Sequence, residues 1–246
     1  MGVWEPHSST CGGALVGPAV SQYLPAMPID MKGDWNARAR RNARFFIASS
    51  EEDSEEAFSA SGERDASLFF GGLEHLVHGR ATVLDVGCGI GRMDEFVAPK
   101  VERLIGIDVS GEMVERARKR LGHIENLEFF EGDGETLAAF AESSIDLVFS
   151  HIVFQHVPRD VARSYFREVH RILRPEGHFV FQMPEAVPGA PADPPEDDTF
   201  EMRFYREADL RTHLLELGFE WVSVRRYPVH SPMLDFNQMR VQVRKS

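Results

Sequence analysis

Between residues 68 and 225, short apolar runs alternate with stretches whose apolar residues recur every three or four positions. The first such stretch has apolar residues at 68, 69, 70, 73, 76 and 77, which is helical spacing. Apolar runs at 82–86, 104–107, 127–130, 145–149 and 178–183 have strand length. Helical segments are expected between them at 93–101, 110–121 and 161–173. Ser110 suits an N-cap, and Met113, Val114, Ala117 and Leu121 then share one face. Ala162, Tyr165, Phe166, Val169 and Leu173 do the same in the later helix. Arg174-Pro175-Glu176-Gly177 reads as a turn into the fifth strand. A helix at 207–217, stopped by Gly218, precedes two strands at 220–225 and 239–244. Seven strands, most linked through helices, predict a doubly wound, mostly parallel sheet covered on both faces. The last two lack a helix between them and predict an antiparallel pair.

The flanks break this alternation. Residues 1–30 are rich in Gly, Pro, Ser and Ala with no period. They read either as a disordered leader or as sequence upstream of a true start at Met31. Residues 34–47 read as an amphipathic helix capped near Asp34, and 51–56 as an acidic loop or helix start. Residues 31–246 are then one domain, with 34–80 a helical cover and 184–205 a proline-rich, acidic loop on the substrate side.

Composition narrows the class. At 246 residues and 43% hydrophobic content the chain can bury a full core. Asp and Glu outnumber Lys and Arg 39 to 27, a net charge of −12 that opposes binding to a phosphate backbone. Two cysteines, Cys11 and Cys88, are too few for a disulfide framework and suit a reducing, cytoplasmic setting. No run approaches a membrane span.

Ligands of open α/β sheets bind where the strands end. After the first strand come Gly87-Cys88-Gly89-Ile90-Gly91. Glycines there let the backbone approach a ligand, and the helix start beyond offers free N–H groups. A nicotinamide site would need glycine at 92, where this chain has Arg92. Asp108 follows the second strand, 21 residues past Gly87, where an acidic side chain can accept two ribose hydroxyls. Asp133 follows the third strand, where a carboxylate can accept from an adenine amino group. Ser150 and His151 follow the fourth, with His156 just beyond.

With these residues in order, the chain resembles the class I S-adenosylmethionine-dependent methyltransferases of small-molecule type. The resemblance rests on Val-Leu-Asp-Val-Gly-Cys-Gly-Ile-Gly at 83–91, Gly-Ile-Asp-Val-Ser at 106–110, Glu-Gly-Asp-Gly-Glu at 131–135 and Ile-Asp-Leu-Val-Phe-Ser at 145–150. It is carried further by Leu-Arg-Pro-Glu-Gly-His-Phe-Val-Phe at 173–181. It implies a Rossmann-like methyltransferase fold with strand order 3-2-1-4-5-7-6, the seventh strand antiparallel, and S-adenosyl-L-methionine as cofactor. It also implies that Asp85, Gly87, Cys88, Gly89 and Gly91 face the methionine part and Asp108 the ribose. Val109 and Met113 would flank the adenine, Asp133, Gly134 and Glu135 would meet its edge, and Ser150 would line the methionine end. Asp193-Pro194-Pro195 is similar to the Asp-Pro-Pro-Tyr motif of methyltransferases acting on nucleic-acid amines. It stands after the wrong strand and continues with Glu196, so it reads as loop composition.

A sulfonium methyl needs only an aligned acceptor and, for a hydroxyl, a base. His156 is the expected general base, with His151 second; neither a metal nor nucleic acid is expected. Trp35, Phe45, Phe46, Phe204 and Tyr205 are candidates to cover the cofactor and line a pocket for a small O- or N-methyl acceptor. The alternative reading is a protein that binds the cofactor without catalysis, as a regulator or assembly partner.

Overall fold

The structure, a computed structural model, describes residues 30–48, 54–189, 193–195, 197–230 and 234–246. Apart from Asp30, the expected leader lies outside them. Seven strands form one sheet: β1 (Thr82–Val86), β2 (Arg103–Asp108), β3 (Leu127–Glu131), β4 (Ile145–Ser150), β5 (Leu173–Pro184), β6 (Phe219–Val229) and β7 (Phe236–Lys245). Their order is β3-β2-β1-β4-β5-β7-β6. β1 to β5 pair in parallel, while β7 lies antiparallel between β5 and β6, as expected from the sequence. Strand side chains alternate between two cores. Leu84, Ile105, Val148 and Phe179 face α5 (Arg159–Ile172) and α6 (Glu207–Glu216). Val83, Leu104, Leu147 and Val180 face α2 (Glu55–Phe70), α3 (Asp94–Val97) and α4 (Gly111–Leu121).

Several local expectations shift. The helix expected from residue 68 is instead α2, which ends at Phe70. Ser54 caps it by accepting from the Ala57 N–H at 3.1 Å. Gly72, at φ +80°, cannot continue a helix, and residues 74–76 form only a short 3₁₀ turn. Buried Arg240 of β7 donates to the carbonyls of Phe69 and Gly71, closing the end of α2.

The N-terminal helix α1 (Met31–Ala48) begins before Asp34, with Asp30 accepting from the Gly33 N–H at 2.8 Å. It is two segments. Asn42 is extended (φ −167°, ψ 91°), and its side chain accepts from the Phe45 N–H at 3.1 Å, capping the second. The turn expected at 174–177 is absorbed into β5 as an irregularity against β4, with Glu176 at φ +65°. β6 and β7 extend past both expected ends into a long hairpin.

Candidate functional site

The carboxyl ends of β1, β2 and β4 open onto one cavity. Its floor is the turn after β1. The N–H groups of Gly87 and Cys88 both donate to the Ile107 carbonyl, at 2.8 and 3.1 Å, which folds the turn over β2. Gly87, Gly89 and Gly91 have φ of +83°, +57° and +77°. A Cβ at Gly87 would lie 2.3 Å from Val153, and one at Gly89 2.7 Å from Ile47. Bare backbone is therefore required at both positions.

Asp108 closes β2 beside this floor. One carboxylate oxygen accepts from the Gly89 N–H at 2.9 Å and the other from the Ser110 N–H at 2.8 Å. Burial pushes its pKa up to about 6, against the pull of those two donors. The carboxylate is thus fixed in orientation, with each oxygen keeping a lone pair for a ligand. Asp85, 6% exposed, lines the cavity beneath, next to the fully buried Asp94. Burial pushes Asp94 up to about 7. Asp85 is pushed well up by burial and then by the neighbouring Asp94. Two carboxyls this close and this buried hold a proton between them at neutral pH.

The roof comes from α1, and residues 197–205 back it from outside. Trp35, Phe46 and Ile47 line the cavity from above. Asn36 accepts from the Ser110 hydroxyl at 2.8 Å and the Glu112 N–H at 3.1 Å, tying α1 to the start of α4. Thr199 donates to Asp34 at 2.7 Å and accepts from Arg38 at 2.9 Å, tying the loop to α1. Phe200 then stacks on His156, with centroids 5.9 Å apart, and Trp35 meets the same imidazole edge-on at 6.0 Å.

His156 donates from Nδ1 to the Phe200 carbonyl. The Gln155 amide nitrogen lies 3.0 Å from Nε2, and its oxygen accepts from Gln238 at 2.7 Å. This chain of donors fixes the tautomer and leaves the Nε2 lone pair as the acceptor. Burial lowers the His156 pKa to about 4.

Of the residues expected from the sequence, Asp85, Gly87, Cys88, Gly89, Asp108, Val109, Met113, Gly134 and His156 come together on this cavity. Cys88 contributes backbone, since its buried side chain packs in the core under β1. Four lie outside the lining. Gly91 packs against Leu121 and Phe129, where its own Cβ would come within 2.7 Å. Ser150 donates to the Val86 carbonyl at 2.8 Å, tying β4 to β1. Asp133 accepts from the N–H groups of Glu135 and Thr136, at 2.8 and 2.7 Å, so it shapes the loop that carries Gly134, and Glu135 is exposed. Of the five candidate aromatics, Trp35 and Phe46 line the cavity. Phe45 is exposed, while Phe204 and Tyr205 are buried away from it. Asp193 of the Asp-Pro-Pro run pairs with Arg159 of α5. Sequence reasoning missed Met31, Asn36, Arg92 as a lining residue, and Tyr165. Arg92 alone left a signal, as the residue that breaks the nicotinamide glycine pattern.

A family model described as "Methyltransferase domain" matches residues 84–181, which run from β1 into β5. Residues 84–181 thus carry a methyltransferase domain of the class I S-adenosylmethionine-dependent kind. The cofactor of this methyltransferase domain is S-adenosylmethionine. The uncharacterized methyltransferase YcgJ of Bacillus subtilis is 36% identical over 100 residues, 40% of this chain and 38% of that protein. The trans-aconitate 2-methyltransferase of an Azoarcus species is 35% identical over 107 residues, 42% of this chain and 39% of the relative. The chain thus spans under two-fifths of the length of either relative. Among solved structures, the [4+2]-cyclase SpnF superposes with a TM-score of 0.65 at 16% identity, covering 85% of this chain and 94% of that one. At that identity the likeness is one of fold. No helix among the described residues is long and apolar enough to cross a membrane.

Proposed function

We propose that this chain transfers the methyl group of S-adenosylmethionine to an oxygen or nitrogen of a small-molecule acceptor. The observation that carries the reading is Asp108. Both of its oxygens are oriented by backbone N–H groups at the lip of a glycine floor that no side chain could replace. That arrangement suits two vicinal ribose hydroxyls. On this reading Gly87, Cys88 and Gly89 meet the methionine part through backbone, Val109 and Met113 hold the adenine, and Asp133 positions Gly134 against its edge. The bound cofactor supplies an electrophilic methyl group.

The chain's own contribution is to shield that methyl from water beneath Trp35 and Phe46 and to align the acceptor. Nε2 of His156 takes the acceptor's proton, displacing the Gln155 amide. Aromatic walls and an acidic surface favour a neutral or cationic small molecule over a phosphate backbone. A single cysteine among the described residues, buried and free, suits a cytoplasmic setting. The alternative of cofactor binding without methyl transfer has one point in its favour: the fold neighbour SpnF is named as a cyclase.

Calorimetric titration with S-adenosylhomocysteine tests the cofactor half. Asp108→Ala is expected to weaken binding about 10- to 100-fold, since two charge-assisted hydrogen bonds go. Unchanged affinity would displace the ribose from Asp108. An acceptor screen tests the catalytic half, and tight binding with no turnover on any acceptor would favour the alternative. With a hydroxyl acceptor in hand, His156→Gln should lower kcat about 100-fold or more. The wild-type rate should fall as pH drops through about 4, where the imidazole becomes protonated. A variant with wild-type kcat would remove His156 as the base.

A further inference from the structure

One backbone position on the cavity wall is strained. Ile152, two residues past β4, has φ +58°. Among the described residues only Ser143 and Glu176 share a positive φ without being glycine, and neither is β-branched nor lines the cavity. A branched Cβ crowds the backbone in that region, where glycine or asparagine would sit more easily. The conformation is held from both sides. Ser150 is tied to the Val86 carbonyl at 2.8 Å, and Val153 fills the space that a Cβ at Gly87 would need. Core packing does not offset the strain, since Ile152 belongs to none of the apolar cores. Its side chain instead lines the open side of the cavity, 38% exposed.

The wall that the proposed cofactor contacts leave free is largely apolar. Trp35, Phe46 and Ile47 line it from α1, and Val153 and Val157 join Ile152. Among the described residues, Asp85 and Asp108 beside the glycine floor are the only carboxylates on the cavity, so an ammonium acceptor would lack a counter-charge on this wall. Arg92 pairs with Asp65 of α2 at 2.7 Å. Burial lowers His151 and His156 to about 4, so both rings are uncharged at neutral pH. A phenol, which holds its proton up to about pH 10, yields it to so weak a base far more readily than an aliphatic hydroxyl does. We infer that Ile152 sets acceptor specificity, and that the acceptor is a neutral, planar aromatic hydroxyl compound covered by Ile152 and by the rings of Trp35 and Phe46. Such a ring buries its faces and edges against apolar and aromatic side chains. Its O–H proton passes to Nε2 of His156 as its oxygen takes the methyl carbon, and the S–C electron pair stays on the departing sulfur. The inference rests on the proposed methyl transfer and narrows its acceptor.

The experiment titrates three probes calorimetrically into the full chain saturated with S-adenosylhomocysteine. They are 2-naphthol, its saturated counterpart 2-decalol, and 2-naphthylmethylamine, which is protonated at neutral pH. Wild type should bind 2-naphthol about 10-fold or more tightly than either of the others. Equal or tighter binding of the saturated alcohol or of the ammonium overturns the aromatic, neutral acceptor, and this comparison needs no variant. Ile152→Asn tolerates the positive φ and removes the apolar face, so it should weaken 2-naphthol about 10-fold. It should leave S-adenosylhomocysteine affinity within about twofold and melt no lower than wild type, because strain is relieved. Undiminished 2-naphthol binding in Ile152→Asn removes Ile152 from the acceptor site. So does an early melt with both ligands weakened alike, which is the mark of a purely structural residue. With S-adenosylmethionine in place, wild type should convert 2-naphthol to 2-methoxynaphthalene; bound naphthol that gives no ether overturns the acceptor class. If S-adenosylhomocysteine binds and 2-naphthol does not, this inference falls and the cofactor site stands. If S-adenosylhomocysteine itself does not bind, the proposed function falls with it.

Discussion

Asp94 shows how the glycine turn loads the residues beneath it. Its carboxyl is wholly buried beside Asp85, and burial raises its pKa from an ordinary 3.8 to about 7. Between those two values the folded chain keeps a proton that the unfolded chain has released, so this group's contribution to stability is lost as pH rises. His151 and His156 act in the opposite sense. Burial lowers both from 6.5 to about 4, so the folded chain refuses a proton that the unfolded chain takes, and stability falls as pH drops through that window. Asp94→Asn removes the first effect and leaves the second. The excess in Tm of Asp94→Asn over wild type is therefore expected to grow from about pH 5 to about pH 8, by an amount on the order of a few kcal/mol in stability. Melting curves across that range check it. A difference that does not vary with pH would mean that Asp94 is not protonated in the folded chain.

Elements were legible where one physical signal dominated. β1, β2, β4 and the second half of β5 are buried on both faces, so they read as continuous apolar runs. α4 and α5 each carry one apolar face that the spacing predicts, except that Ile172 completes the α5 face and Leu173 opens β5. α2 was misread because its buried face includes Gly62 and Ala66. Small residues bring α2 close against Arg92, yet they leave no hydrophobic period. β7 begins before the expected residue 239 because Asn237 and Gln238 are polar, and buried Gln238 is held by donating to Gln155, far away in sequence. The site divides in the same way. Asp108 and the glycine turn are local motifs and could be read directly. The Asn36 tie to Ser110 spans 74 residues and the Thr199 tie to Asp34 spans 165, and no local pattern announces either.

Those long ties decide how the whole molecule closes over its cavity. The sheet and its helices supply the floor, whereas α1 forms the roof, held by a small apolar cluster around Ala39 and Ala43 and by polar ties to α4 and to residues 197–205. Thr199 is 1% exposed and joins that loop to α1, as donor to Asp34 and acceptor from Arg38. Arg203, fully buried, pins the same loop below by donating to the carbonyls of Pro195 and Asp198 at 3.0 and 2.9 Å. Thr199→Val keeps the volume and removes both bonds. Asp34 and Arg38 can still reach water, so the loss should be modest, about 1–2 kcal/mol. The sharper expectation is spatial. Amide exchange should quicken through α1, residues 31–48, and stay unchanged in β1, β2 and β4, because local opening draws on the least packed contacts first. S-adenosylhomocysteine contacting Trp35 and Phe46 should restore protection in α1, since a ligand stabilises the closed form it binds. Exchange followed by mass spectrometry, with and without that ligand, reads both effects. Uniform quickening across sheet and roof would mean that the roof does not open as a separate unit, and that α1 belongs to the cooperative core.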